Sequence, residues 1–81
     1  MTLTVHVFAR LRDLAGSETI VIPLPTPATA RDVRDVIRRN HPSLAELLVR
    51  SQIAINGEFV NDDAAVRPGD EAAVIPPVSG G

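Results

Sequence analysis

Thr29-Ala30-Arg31-Asp32-Val33-Arg34-Asp35-Val36-Ile37-Arg38-Arg39-Asn40-His41-Pro42 reads as an amphipathic helix with a marked start and a marked end. The Thr29 hydroxyl and the Asp32 carboxylate three residues later make a capping-box-like start, with Asp in place of the usual Glu or Gln. Val33, Val36 and Ile37 recur at i, i+3 and i+4, while Arg31, Asp35, Arg38 and Arg39 face away. Pro42 disfavours helical geometry at His41, so the helix stops near Asn40. A helix with one apolar stripe needs a surface to cover, and the flanking segments must supply it.

Upstream, Leu3, Val5 and Val7 alternate with Thr4, His6 and Phe8, the period of a strand with one buried face. A short segment over residues 10–15 ends at the turn Gly16-Ser17. Ile20, Ile22 and Leu24 then alternate with Thr19, Val21 and Pro23, and Pro23, Pro25 and Pro27 mark the end of this second strand. The two strands are expected to form an antiparallel hairpin. Downstream, Ser43 is placed as the cap of a shorter helix through Leu44, Leu47 and Leu48. Residues 52–56 and 58–60 read as two short strands about an Asn56-Gly57 turn. Arg67-Pro68-Gly69-Asp70 has Pro and Gly where a type II turn favours them. It launches a last strand over residues 71–75, and Pro76-Pro77 ends the ladder by removing two N–H donors.

The order is thus β-β-α-(short helix)-β-β-β. So short a chain buries its apolar faces by laying the helix across one face of a mixed sheet. The last strand then pairs parallel with the first, the helix serving as crossover. The fold class is α+β: a β-grasp, or ubiquitin-like, mixed five-stranded sheet with one main helix on one face. The body is expected over residues 1–75, with an extended C-terminal tail over 76–81.

Composition narrows the function. Eighty-one residues suffice for one domain with one core. With a net charge of −2 and only two Phe among the aromatic types, there is neither a basic stripe nor a stacking platform for nucleic acid. No apolar run is longer than residues 72–75 and the start lacks a basic signal-peptide region, so the expectation is a cytoplasmic protein with no membrane partner. Zero Cys excludes thiolate metal sites and thiol nucleophiles. All eight basic residues are Arg, so no side-chain amine is available for isopeptide formation on the chain itself.

No phosphate-cradling loop, zincin motif, metal-spaced His and carboxylate cluster or nucleophile elbow is present. His6 and His41 are unclustered and read as structural. Asp62-Asp63 and Asp70-Glu71 read as solvated turn residues. By alternation, Phe8, Ile75 and Phe59 could share the sheet face opposite the helix, where an apolar patch marks an interface. For Phe59 the pattern alone favours burial over exposure.

The tail Pro76-Pro77-Val78-Ser79-Gly80-Gly81 carries chemistry of its own. A terminal Gly pair arises by chance in about one chain in 200, and a frayed end is its bland reading. Its six residues extend about 20 Å, and the prolines stiffen the base. Bare glycines fit a narrow pocket where any Cβ would widen the chain. A terminal carboxylate is a poor electrophile, but as an acyl adenylate it accepts sulfur and becomes a nucleophilic thiocarboxylate.

Val5-His6-Val7-Phe8-Ala9-Arg10-Leu11-Arg12-Asp13-Leu14-Ala15-Gly16, the Arg67-Pro68-Gly69-Asp70-Glu71 turn and the Pro-Pro-Val-x-Gly-Gly ending resemble the small subunits of molybdopterin synthase over essentially the whole chain. The resemblance implies a sulfur carrier that is not catalytic alone and binds no cofactor or metal. Gly81, beside Gly80, would be adenylated by a partner similar to ubiquitin-activating enzymes, which uses the ATP. A sulfur donor protein would then convert it to a thiocarboxylate. The tail would insert into the large synthase subunit and pass sulfur to cyclic pyranopterin monophosphate, building the molybdopterin dithiolene. The family assembly is a heterotetramer, two of each subunit.

The resemblance further makes Phe8, Phe59 and Ile75 surface contacts for the large subunit and the activating enzyme, with Pro76, Pro77, Val78 and Ser79 as the inserted tail. For Phe59 it opposes the pattern. His6 replaces a more typical apolar residue, Ile75 an aromatic one, and the helix is unusually Arg-rich. The alternatives are a carrier for thiamine, cysteine or tRNA thiolation, or a ubiquitin-like protein modifier. The chain length and the Pro-Pro pair favour molybdopterin over the thiamine carriers.

Overall fold

The computed structural model describes residues 1–77; residues 78–81, and with them Val78, Ser79, Gly80 and Gly81, lie outside the described residues. In chain order the elements are β1 (Thr2–Val7), α1 (Ala9–Ala15), β2 (Thr19–Pro23), β3 (Ala28–Thr29), α2 (Ala30–Asn40), a 3₁₀ turn (Pro42–Leu44), α3 (Ala45–Leu48), β4 (Gln52–Ile55), β5 (Glu58–Val60), β6 (Ala65–Val66) and β7 (Ala72–Ile75).

Five strands form one mixed sheet in the order β2-β1-β7-β4-β5. β1 pairs antiparallel with β2 and parallel with β7, in the register Val5↔Ala72, His6↔Ala73, Val7↔Val74. β7 also pairs antiparallel with β4, and β4 with β5. This is the β-grasp arrangement expected from the strand order. Leu3, Val5, Val7, Ile20, Ile22, Ile53 and Val74 pack with Val33, Val36 and Ile37 of α2 in a single core.

The start of α2 is built as the sequence implies. Thr29 has extended geometry, the Asp32 N–H donates to Thr29 Oγ1 at 3.4 Å, and the Thr29 N–H donates to Asp32 Oδ2 at 2.9 Å. The first helical N–H groups have no intrahelical partner; here the Ala30 and Arg31 N–H groups donate to the carbonyls of Ala64 and Asp62, both at 2.9 Å. The loop before β6 therefore finishes the cap. The two-stranded ribbon β3–β6, Ala28↔Val66 and Thr29↔Ala65, carries this loop into place.

Asn56 and Gly57 have φ of 52° and 83°, the pair of positive values that a type I′ hairpin turn requires. Gly69 at 89° sits at the left-handed position of the second turn. The two turns are clasped together. Asn56 Nδ2 donates to Asp70 Oδ1 and the Glu71 N–H donates to Asn56 Oδ1, both at 3.0 Å, and the Arg67 N–H donates to Asp70 Oδ2 at 2.8 Å. The Arg67 amide and then the Asn56 amide hold the Asp70 carboxyl below its ordinary value of 3.8.

Some details depart from the sequence reading. The segment after β1 is a helix, α1, with Leu11 fully buried. Ser43 caps nothing: it lies inside the 3₁₀ turn, and neither that turn nor α3 has a side-chain cap. Asp62 and Asp63 are ion-paired, not merely solvated, with Arg34 at 3.3 Å and Arg31 at 3.1 Å. Arg34 also donates to the backbone carbonyls of Leu48 and Ser51.

Replacing Thr29 by Ala removes the cap acceptor and is expected to lower unfolding stability by about 1 kcal/mol in urea titrations; Ile37→Ala, which opens a void in the core, costs about 2–5 kcal/mol. Because the folded carboxyl of Asp70 titrates below its unfolded value, its contribution is present above the ordinary carboxylate pKa and lost as pH falls through the folded one. The stability gap between the parent and Asp70→Ala, measured by urea midpoints, should therefore be constant near neutrality and close below about pH 4.

Candidate functional site

The features of interest gather where β7 runs out. Along β7, Ala72 and Val74 are buried against the core while Ala73 and Ile75 are half-buried on the other face. Pro76 and Pro77 offer no N–H to either neighbouring strand, so the ladder stops at Ile75 and the chain must leave the sheet. Pro76 is itself buried and Pro77 exposed, so the first residue of the tail is packed against the body.

The parallel register decides what surrounds this exit. Continuing Val7↔Val74 by one residue brings Phe8 alongside Ile75. Phe8 keeps extended geometry, φ −127° and ψ 159°, at the start of α1. The next residue, Ala9, turns into the left-handed region at φ 51°, a conformation that costs an L-residue about 1–2 kcal/mol. The sharp bend leaves Phe8 46% exposed.

Two shallow depressions flank the departing chain. One is lined by the apolar Phe8, Leu14, Leu47, Ile75 and Pro76 and by the charged Arg10, Glu46 and Arg50. The other is lined by Gln52, Phe59, Ile75, Pro76, Pro77 and, again, Arg50. Ile75 and the two prolines form the ridge between them. The three predicted contacts are thus gathered at one site, with Phe8 on one side of the ridge and Phe59 on the other.

Phe59 is 63% exposed, against the reading from pattern alone and in line with the resemblance. Its partner in β4 explains why. Val60 pairs with Ile53 on the core face, and Phe59 pairs with Ala54, which faces away from the helices. In a three-residue edge strand the alternation could be read in either phase, and the register of β4 chooses.

Arg50, Leu47 and Leu14 were not singled out by sequence. Leu47 reads only as part of the shorter helix and Leu14 lies in the short segment over residues 10–15, which carries no pattern; Arg50 sits in a turn, where no periodicity applies. His6 lies on the open sheet face between Thr19 and Ala73 and lines neither depression. The His41 N–H caps α2 by donating to the Ile37 carbonyl at 2.8 Å. Among the described residues no group of three or more His, Asp or Glu is placed to hold a metal ion, and no helix is long and apolar enough to cross a membrane.

A family model described as the ThiS family matches residues 5–81. The chain belongs to the ThiS family. Within its reach, a Homo sapiens protein named molybdopterin synthase sulfur carrier subunit is 40% identical over 79 residues, covering 91% of this chain and 88% of that protein. The structure of SAMP1 from Haloferax volcanii is similar with a TM-score of 0.87 at 31% identity, each chain covered fully. A chain from the protein–protein complex of subunits 1 and 2 of the molybdopterin-converting factor of Helicobacter pylori gives a TM-score of 0.71 at 26% identity, again with 100% of both chains covered.

Truncating an exposed side chain at this rim should leave the fold alone. Phe59→Ser and Phe8→Ser are expected to shift unfolding stability by no more than about 0.5–1 kcal/mol in urea titrations, the range of ordinary surface changes. Leu11→Ala, which removes a fully buried neighbour of the same rim, should cost about 2–5 kcal/mol.

Proposed function

We propose that this chain carries sulfur as the small subunit of a molybdopterin synthase, with the Gly81 carboxylate as the attachment point. The observation that supports it best is the exit of β7 between Phe8 and Phe59 in a member of the ThiS family whose sequence runs on to Gly80-Gly81. The chain brings no metal cluster among the described residues and no cysteine anywhere. In this reading its contribution is presentation. The body docks, and residues 78–81 thread into a pocket that another protein provides.

In the proposed cycle a ubiquitin-activating-type adenylyltransferase binds the body, and a Gly81 carboxylate oxygen attacks the α-phosphorus of ATP with loss of pyrophosphate. A sulfide-level sulfur nucleophile supplied through a donor protein attacks the Gly81 acyl carbon and expels AMP, leaving the thiocarboxylate. The loaded tail then enters the large synthase subunit, where the thiocarboxylate sulfur bonds to a carbon of cyclic pyranopterin monophosphate and water cleaves the Gly81 C–S bond, returning the carboxylate. A large-subunit partner is supported by the Helicobacter pylori complex of two subunits. The heterotetramer of two small and two large subunits, and a cytoplasmic site of action, belong to the same proposal.

The second reading is a protein modifier, favoured by the likeness to the SAMP1 structure and by a relative of this chain from Haloferax volcanii named small archaeal modifier protein 1. Both readings use an activated Gly81 and differ in the nucleophile that discharges it. Sulfur carriage for thiamine, cysteine or tRNA thiolation differs only in the acceptor.

Incubation with the cognate activating enzyme, ATP and a sulfur donor should raise the intact mass by one oxygen-to-sulfur exchange, located at Gly81 by fragmentation. An unchanged mass sinks the sulfur-carrier reading. Recovery of Gly81 linked to lysines of other proteins in extract, without a thiocarboxylate, favours the modifier. Deleting Gly81 should abolish sulfur transfer without moving the melting temperature.

A further inference from the structure

All basic side-chain charge of the chain is carried by eight arginines, and three of them are engaged: Arg31 with Asp63, Arg34 with Asp62 and Arg38 with Asp35. Arg10 and Arg50 are exposed, edge the depression beside Phe8, and have no carboxylate within ion-pair distance among the described residues. Glu46 edges the same depression four residues before Arg50, a spacing at which a carboxylate and a guanidinium meet on a helix. α3 ends at Leu48, however, so Arg50 stands beyond the last turn and that pair does not form. Arg50 is also the charged residue common to the depressions on both sides of the tail.

A partner that takes in the tail must close over its base. Residues 78–81 extend no more than about 14 Å beyond Pro77, so a pocket deep enough to hold the end brings its rim against Ile75, Pro76 and the residues around them. Covering Ile75 and Pro76 means covering or abutting Arg50. A guanidinium desolvated without a carboxylate or carbonyl to meet it opposes binding, whereas a complementary one speeds encounter and fixes register.

We infer that Arg50, with Arg10 at the same depression, is a specificity-determining residue for docking: it pairs with a carboxylate on the rim of the acceptor subunit, whose apolar side chains cover Phe8, Leu14 and Ile75. This inference rests on the sulfur-carrier reading and adds the partner chemistry to it. The acceptor surface it describes is an apolar anchor bordered by acidic residues, and a neutral or basic border is rejected by charge.

Stopped-flow association of the full chain with the cognate large subunit tests this, using the parent, Arg50→Glu, Arg50→Gln and Arg10→Glu at about 0.05 M and about 0.5 M salt, since exposed charges are screened at the higher value. Arg50→Glu should slow association about tenfold at low salt, Arg50→Gln by less, and Arg10→Glu in the same direction, with the differences fading at high salt. Unchanged melting temperatures show that the variants remain folded. Equal association rates for the parent and Arg50→Glu at low salt overturn the inference, as does a deficit that persists undiminished at high salt. A slowing seen with the activating enzyme but not with the large subunit overturns the assignment to the acceptor. In every one of these cases a parent chain that gains sulfur at Gly81 keeps the carrier reading standing. A parent that neither gains sulfur nor binds the large subunit removes both.

Discussion

The parallel pairing of β7 with β1 is the constraint on which the rest of the molecule depends. Antiparallel neighbours need only a tight turn, but parallel neighbours require a crossover long enough to return the chain to the same end of the sheet. Here everything between β2 and β7 serves as that crossover, and α2 is the part that covers the sheet. Because the strands are parallel, both finish at the same edge. Phe8 and Ile75 become neighbours there, and α1 and the tail leave the sheet side by side. An antiparallel β7 would have released the tail at the opposite edge, far from Phe8.

Holding that edge in shape falls largely to polar groups on the helix side. Arg34, only 19% exposed in its side chain, donates to the carbonyls of Leu48 and Ser51 and pairs with Asp62. One guanidinium therefore ties α2, the end of α3 and the loop that caps α2. Ser51 is buried, and its hydroxyl donates to the Leu47 carbonyl at 2.8 Å. Arg50 stands between two residues fixed in this way, its backbone constrained and its side chain in solvent. The same local network that closes the core thus presents a charge at the tail exit.

Most of this was legible in the sequence, for reasons particular to each element. The α2 stripe, its Thr29–Asp32 cap and its stop before Pro42 are local features with local causes, as are the two glycine-bearing turns. The alternation in β1 and β2 and the proline block after β7 belong to the same class. What escaped depends on contacts between distant segments. The β3–β6 ribbon has two residues on each side, too few to show a period, and exists because β6 closes the cap of α2. Phe59 takes its face from the register with β4, which a three-residue strand does not reveal. Arg50 has no signature at all until the ridge of Ile75, Pro76 and Pro77 is seen between its two depressions. Gly80 and Gly81, to which the proposed chemistry is assigned, lie outside the described residues, and their reading rests on the sequence alone.

The burial of Pro76 shortens the tether. Of the two prolines that follow β7, the first is buried against the body and the second exposed, so on the carrier reading any inserted segment starts from a fixed root at Pro76. For a linker, effective concentration is highest when its length matches the gap and falls as slack is added. On the carrier reading, a segment anchored at Pro76 would be presented to a docked partner at a high local concentration and from a fixed point. Cargo delivery by such a chain is a matter of reach: a pocket a few ångströms deeper than the span permits is starved, however tightly the body is held.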